Sequence, residues 1–197
     1  LEDMYEVIFV HIPKNAGNGF AQSVFGMDPK GHNFLSHYKS YDSHKYSKYF
    51  KFGLTRDVHS RFYSAFNYLS KGGFGVYDLE FRSKYLKNLS IDDFILKLSD
   101  DDVYRRDVMS WTHFIPQVEF LLIDGVCELD YVGSVEDISE AMEIVSRNLG
   151  IDFFDNKIVN SSGSKHGGDF FSSKSYDLIC EFYKEDVDLI ASMQQGL

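Results

Sequence analysis

The sequence contains few cysteines and no long apolar run, and each scarcity excludes a class of protein. The 197 residues include only two cysteines, Cys127 and Cys180, which lie far apart and outside any metal-ligand spacing. A disulfide framework is therefore excluded, and we expect two buried thiols in a reducing compartment. No apolar run approaches the roughly 18 residues that a membrane span requires, and the short acidic start, Leu1 to Glu6, does not resemble a secretory signal.

Basic residues are also in the minority. The formal net charge is -10, which argues against a general nucleic-acid binder. The segment from Pro29 to Gly72 nevertheless carries eight Lys or Arg against two acids, a net charge of +6, whereas the segment from Glu128 to Asn160 has a net charge of -6. This asymmetry predicts a local anion-binding site. The alternative is that these charged residues are solvated and become interspersed on the surface of the folded chain.

The remaining composition is that of a globular protein. Hydrophobic residues make up 44% of the chain, which suits one domain over residues 1–197. Periodicity predicts strands at 5–11, 50–55, 118–123 and 131–135, and helices at 20–25, 57–69, 136–149 and 173–193, with a further helix capped by Ser90. Alternating strands and helices predict an α/β protein with a largely parallel sheet, in which ligands bind at the carboxyl ends of the strands.

The first motif is the segment His11 to Phe20, between a predicted strand and a predicted helix. Its small residues, Ala16, Gly17 and Gly19, let the backbone approach a ligand closely. Successive N–H groups at a helix N-terminus form an anion cradle, and Lys14 adds a mobile cation. The loop lacks the Gly-Lys-Ser/Thr ending of a Walker sequence, so no hydroxyl is placed for Mg²⁺. A plain strand-to-helix turn is the alternative.

The second motif begins at Arg56, where the second predicted strand ends. A guanidinium at this position can bind a phosphate with two hydrogen bonds, and Ser64, two helical turns further on, can donate to the same anion. A structural ion pair is the alternative for Arg56. We expect Arg61 to pair with a neighbouring acid or a backbone carbonyl.

Together these motifs resemble those of the PAPS-dependent carbohydrate sulfotransferases, both the Golgi type (similar to heparan sulfate 2-O-sulfotransferase) and short bacterial relatives. That family has a His-Ile-Pro-Lys-Thr-Ala-Gly-Thr-Ser-like loop and an Arg-Asp-Pro-x-Ser-Arg-Phe-x-Ser-like second motif. Three later landmarks continue the resemblance in chain order: 113–117, 130–136 and 160–162. The chain departs from the family at Asn18 and Gly19, where hydroxyl residues are usual, and at Val58, where proline is usual.

The resemblance implies a P-loop-NTPase-like three-layer fold with a mainly parallel central sheet flanked by helices. It implies sulfuryl transfer from PAPS, with PAP as the product and no required metal, to a hydroxyl or amine of a saccharide or glycoconjugate. The implied cofactor-binding residues are Lys14, Asn15, Ala16, Gly17, Asn18 and Gly19 for the 5′-phosphosulfate, and Arg56 and Ser64 for the 3′-phosphate. Lys14 would also stabilise charge on the leaving oxygen. Separately, the Ser- and Gly-rich segment 160–168 predicts a lid over the adenine side, with Lys165 as a contact to a phosphate or the ribose; a plain surface loop is the alternative.

The resemblance also implies a catalytic histidine after the first helix. His32 is the expected general base, with His37 as the alternative, and we expect His37 to contact the acceptor. His113 is expected to contact the acceptor or the nucleotide, with a structural role as the alternative. We expect no nucleic-acid partner. We expect a cytoplasmic location, with the Golgi lumen as the alternative only if an N-terminal anchor precedes this sequence. Two other functions stay open: a P-loop-type nucleotide kinase, and a non-catalytic protein that binds PAP or another nucleotide on a sulfotransferase scaffold.

Overall fold

A computed structural model describes residues 1–152 and 170–195 of the chain. The strands of this part are β1 (Val7–Val10), β2 (Phe50–Thr55), β3 (Leu122–Ile123), β4 (Val126–Cys127) and β5 (Tyr131–Ser134). Its α-helices are α1 (Glu2–Tyr5), α2 (Gly17–Phe25), α3 (Leu35–Tyr41), α4 (Ser43–Lys48), α5 (Val58–Ser70), α6 (Val76–Phe81), α7 (Ile91–Asp100), α8 (Asp102–Met109), α9 (Gln117–Leu121), α10 (Ile138–Leu149), α11 (Ser173–Phe182) and α12 (Lys184–Gln195), and a π-helical segment spans Arg82–Leu86.

These elements divide into two compact units. The described residues of unit 1 are 1–56 and 117–152, and those of unit 2 are 57–116 and 170–195. Among the described residues, no helix has both the length and the apolar character needed to cross a membrane. One domain over residues 1–197 stays a prediction.

Unit 1 is built on a parallel sheet in the order β1-β2-β5, which confirms the predicted mixed α/β fold with a parallel sheet. All four residues of β1 are buried, as expected for a short run of β-branched and aromatic residues. Parallel pairing aligns Val10 with Gly53 and Thr55 with Ser134. The three strands therefore end at the same edge of the sheet.

Helices cover both faces of this sheet. On one face Phe9 stacks on Phe52, with ring centroids 4.6 Å apart, and α2 and α10 add buried apolar side chains to the same cluster. On the other face the glycine in β2 makes room for α9, since a Cβ at Gly53 would lie 2.7 Å from Cδ2 of Leu121. Close packing on both faces fixes the position of the strand ends.

The predicted strand at 118–123 is wrong over most of its length. Helix α9 occupies the run as far as Leu121, and only Leu122 and Ile123 form β3. A short apolar run suits a buried strand and a buried helix equally, and the run follows Pro116, whose fixed φ suits a helix start. Strands β3 and β4 pair antiparallel, and Cys127 in β4 is exposed rather than buried as expected.

Two predicted helices have different bounds. The helix expected from Glu136 begins at Ile138, because Ser134 Oγ accepts the N–H of Glu136 (3.0 Å) in a local turn instead of capping the helix. The final stretch expected as one helix is two, α11 and α12, separated at Tyr183. The cap at Ser90 is confirmed, since its Oγ accepts the N–H of Asp93 at 3.1 Å.

The regular secondary structure in the described residues of unit 2 is all helical, and it surrounds an aromatic core. Phe62 from α5 contacts Phe94 and Phe114, with ring centroids 5.9 and 5.2 Å away. The hydroxyl of the buried Tyr183 donates to the carbonyl of Phe114 at 2.7 Å. At the start of α5, the carboxylate of Asp57 accepts the N–H of Ser60 at 2.8 Å, a helix cap that fixes where the second motif becomes helical.

Candidate nucleotide-binding site

The loop between β1 and α2 has an unusual backbone. Lys14 and Ala16 have φ values of 70° and 54°, in the left-handed region, whereas Asn15 between them does not. Such a φ costs a residue with a side chain about 1–2 kcal/mol, so other contacts must hold the loop. Alternating backbone conformations of this kind turn successive N–H groups towards one side, which forms a concave anion-binding surface.

Helix α2 begins at this loop without a side-chain cap. Its N-cap residue is Ala16, which has no side-chain acceptor, and the first turn contains no acidic residue. The first-turn N–H groups, those of Gly17, Asn18 and Gly19, have no acceptor within the helix. The positive end of the helix dipole therefore faces the loop with no negative side chain of the helix to offset it.

Gly17 packs against the imidazole of His11. A Cβ on Gly17 would lie 2.1 Å from Cδ2 of His11, so only glycine fits. His11 is 7% exposed, and its Nδ1 lies 3.2 Å from the carbonyl oxygen of Gly31, to which it donates. Burial lowers the pKa of His11 to about 4, with a smaller contribution from the nearby His32. The ring is therefore neutral at pH 7 and acts as an uncharged wall behind the helix start.

His32 lies beside His11, with ring centroids 4.3 Å apart. Its Nδ1 is 2.9 Å from the backbone carbonyl oxygen of His11. A carbonyl only accepts, so Nδ1 carries the proton and Nε2 is the basic nitrogen of the neutral ring. This is the tautomer that a general base acting through Nε2 requires.

The alternative base, His37, has different surroundings. It is exposed on α3, where its ring packs on Tyr41 at a centroid distance of 5.9 Å. The structure thus brings His32, and not His37, into contact with a residue of the loop.

Arg56 follows β2 at the edge of the sheet where β1 also ends. Its Nη1 donates to the carbonyl oxygen of Lys14 at 2.9 Å, so the guanidinium lies against the loop. The cationic side chain of Lys14 is half-buried. The two motifs, 42 residues apart in the sequence, are joined by a direct hydrogen bond.

Asn15 has a different environment from its neighbours. Its side chain is 2% exposed, and Nδ2 donates to the carbonyl of Leu54 (2.6 Å) and to Oε1 of Gln117 (2.7 Å). The amide therefore faces the interior of unit 1 and anchors the loop to β2. Asn18 and Gly19, one turn further on, are exposed.

Two predicted site residues belong to unit 2, and a third lies outside the described residues. Ser64 is half-buried on α5 of unit 2. His113, also in unit 2, has Nε2 3.8 Å from Oδ1 of Asp78 and its ring edge-on to Tyr68 at 5.0 Å. Lys165 lies outside the described residues, together with the landmark at 160–162. The roles expected for Ser64, His113 and Lys165 stay predictions.

Sequence reasoning missed the role of Gln117. It was noted only as the last residue of a landmark, yet it is fully buried and contacts both motifs. The available signal was a single amide residue between Pro116 and the apolar run that becomes α9. Such a residue is buried only when its amide has partners.

Comparisons of the chain with protein-family models, with curated proteins and with solved structures gave no match. Within residues 1–152 and 170–195 there is no group of three or more His, Cys, Asp or Glu that could hold a metal ion.

Proposed function

We propose that the chain is a sulfotransferase that moves the sulfuryl group of PAPS to a hydroxyl or amine of a saccharide, on a P-loop-NTPase-like three-layer fold. The observation that supports this most is the hydrogen bond from Arg56 to the Lys14 carbonyl (2.9 Å). It joins two cationic residues to an uncapped helix N-terminus at one edge of a parallel sheet. A ligand with two separate anionic groups is the kind of molecule that such an arrangement suits.

In this proposal the nucleotide is held by its two charged ends. The N–H groups of Gly17, Asn18 and Gly19, with Lys14, bind the 5′-phosphosulfate, and Arg56 binds the 3′-phosphate. Ser64 is assigned to the 3′-phosphate from the family resemblance, and Lys165 to a phosphate or the ribose from its place in a Ser- and Gly-rich segment. Asn15 takes part through the loop that it anchors, because its amide is already bonded to Leu54 and Gln117.

The proposed reaction is an in-line displacement at sulfur. The acceptor oxygen attacks sulfur while Nε2 of His32 takes the acceptor proton, and the bond from sulfur to the bridging phosphate oxygen breaks. The sulfate ester forms, PAP leaves, and the ammonium of Lys14 stabilises the charge that develops on the leaving oxygen.

A thermal-shift comparison tests the nucleotide assignment. At about 100 times its Kd, a ligand adds about 2.7 kcal/mol to the free energy of unfolding, which raises Tm by several degrees. We expect this rise with PAP and not with ATP and Mg²⁺. Stabilisation by ATP and Mg²⁺ but not by PAP would instead support the nucleotide kinase.

A second experiment tests catalysis. Labelled PAPS is incubated with a panel of neutral and charged saccharides, and sulfated products are sought by mass spectrometry. We expect product on a neutral or weakly charged acceptor, because the chain carries a net charge of -10. Tight PAP binding without product on any acceptor would favour the non-catalytic nucleotide-binding protein.

A further inference from the structure

Gln117 connects the two motifs although it touches neither through a charged group. Its Oε1 accepts the backbone N–H of Arg56 at 2.9 Å, and its Nε2 donates to the backbone carbonyl of the same residue at 2.9 Å. One side-chain amide thus pairs with both backbone groups of Arg56, as a neighbouring strand would. Because β2 ends at Thr55, this pairing extends the ordered backbone by one residue, to the one that carries the guanidinium.

The same amide also reaches the first motif. Oε1 of Gln117 accepts a second hydrogen bond, from Nδ2 of Asn15 at 2.7 Å. Asn15 is bonded in turn to the carbonyl of Leu54, and Arg56 to the carbonyl of Lys14. The contacts form a closed circuit through β2, the loop and α9, with Gln117 as the member that binds both sides.

The geometry of this circuit bears on ligand binding. A guanidinium at the end of a flexible side chain binds an anion best when its backbone is fixed, and in catalysis an error of about 1 Å in the placement of reacting groups can cost about 100-fold in rate. Lys14 and Ala16 also hold unfavourable φ values that need outside support. Both requirements are met by one buried residue that carries no charge and therefore does not compete for the ligand.

We infer that Gln117 is a positioning residue, which fixes Arg56 and the Lys14–Asn15 peptide in the arrangement that binds the two anionic ends of the nucleotide. This inference rests on the proposed function. It assigns Gln117 no contact with the ligand. Its effect is on the affinity for PAP, and it acts through the donor Nε2 as well as through the acceptor Oε1.

The substitution Gln117→Glu separates this role from a general contribution to packing. The carboxylate keeps the shape and both accepted hydrogen bonds, but it cannot donate to the carbonyl of Arg56. Protonation restores a donor, and burial raises the pKa of a carboxyl group, so protonation should fall within a usable pH range. Gln22→Glu is the matched control, because Gln22 is exposed on α2 and its substitution also adds one acidic group to unit 1.

The experiment measures the Kd for PAP by calorimetry from about pH 8 to pH 5.5, for the native chain and both variants. We expect Gln117→Glu to bind about tenfold more weakly than the native chain near pH 8 and within about threefold near pH 5.5, while Gln22→Glu stays within about twofold throughout. Dividing the Kd of each variant by the Kd of the native chain at the same pH cancels the effect of titrating the phosphates of PAP.

Several results would overturn the inference. If the native chain binds PAP, two results would remove Gln117 from this role and leave the proposed function intact. In the first, Gln117→Glu binds PAP as tightly as the native chain near pH 8. In the second, it binds more weakly by a factor that does not change with pH. No PAP binding by the native chain would overturn the proposed function itself. Gln117→Leu, with its Tm recorded, gives the cost of losing the whole circuit; a lower Tm with unchanged PAP affinity would also contradict the positioning role.

Discussion

Nη1 of Arg56 lies 2.9 Å from the carbonyl oxygen of Lys14, so the residue that begins the second motif supports the loop of the first. A carbonyl oxygen carries only a partial charge, so this hydrogen bond orients the guanidinium without neutralising it. The same residue can therefore brace the loop and bind an anion. Both effects contribute to the prediction for Arg56.

Replacing Arg56 should weaken PAP binding. Arg56→Ala removes the phosphate contact and the brace on Lys14, and we expect the Kd measured by calorimetry to rise at least about tenfold. Arg56→Lys keeps the charge but loses the planar fork, so an intermediate affinity is expected. An Arg56→Ala variant with native affinity would remove Arg56 from the site.

Two glycines in the first turn of α2 should respond in opposite ways to substitution by alanine. Gly17→Ala places a methyl group 2.1 Å from the ring of His11, and we expect a loss of about 1–3 kcal/mol in the free energy of unfolding together with weaker PAP binding. Gly19→Ala is the control, because nothing lies within 4 Å of a Cβ there. That variant should be as stable as the native chain or up to about 1 kcal/mol more stable.

A second substitution identifies the cause of the Gly17 effect. If the clash with the imidazole is responsible, His11→Ala should recover part of the stability that Gly17→Ala loses, so that the two changes are not additive. Additive losses in urea unfolding would show that Gly17 is needed for a reason other than the contact with His11.

The free energy of unfolding should decrease as the pH falls through a range set by His11. Burial lowers its pKa to about 4 in the folded chain, against an ordinary histidine value of 6.5, so below about pH 6.5 the unfolded state binds a proton that the folded state does not. Stability is complete above that pH and is lost as the pH falls towards 4. Between pH 7 and pH 5 the expected loss from this residue is about 2 kcal/mol.

His11→Asn provides the comparison for this titration. Asparagine can still donate to the carbonyl of Gly31 but does not titrate. The difference in unfolding free energy between pH 7 and pH 5, measured with urea, should therefore be about 2 kcal/mol smaller in the variant. Equal pH dependence in both proteins would show that His11 is not the group responsible.

The two cysteines should differ in reactivity. Cys127 is exposed, whereas burial, with smaller contributions from Asp177 and Asp57, raises the pKa of the Cys180 thiol. The thiolate is the reactive form, so Cys180 should be alkylated more slowly than Cys127 by iodoacetamide near pH 8. Peptide mass spectrometry at successive times measures both rates. Equal rates, or faster modification of Cys180, would contradict this order.

The parts of the site that follow from local pattern were predictable from the sequence. A run of β-branched and aromatic residues predicts β1, small residues predict a loop that a ligand can approach, and a cation at a strand end predicts the position of Arg56. Parallel neighbours end at one edge, so the proximity of Arg56 and the loop follows from the sheet. These predictions needed only the periods of strands and helices.

The parts that depend on tertiary contacts were not predictable. The direction in which Asn15 points decides whether its amide meets a ligand or the interior, and nothing in the spacing of the loop reveals it. The run after Pro116 suits a strand or a helix equally, and the choice is made by packing against Gly53. Predicting a strand in place of α9 also hid the role of Gln117, because its amide lies beside Arg56 only when the residue begins a helix.

Replacing His32 should lower turnover and leave PAP binding intact. Its Nδ1 donates to the carbonyl of His11, so the lone pair of the neutral ring, which takes a proton in general base catalysis, is on Nε2. His32→Asn keeps a donor near the position of Nδ1 and removes only the base. General base catalysis contributes about 10²–10⁴-fold, so turnover should fall at least about 100-fold, while the affinity for PAP measured by calorimetry stays unchanged.

His37→Asn is the matched control for this prediction, since His37 is exposed on α3 and its ring packs on Tyr41. Its turnover should stay close to that of the native chain, with at most a weaker apparent affinity for the saccharide. If His32→Asn retained native turnover and His37→Asn lost it, the base would be His37, and the hydrogen bond from His32 to His11 would serve only to order the segment that follows α2.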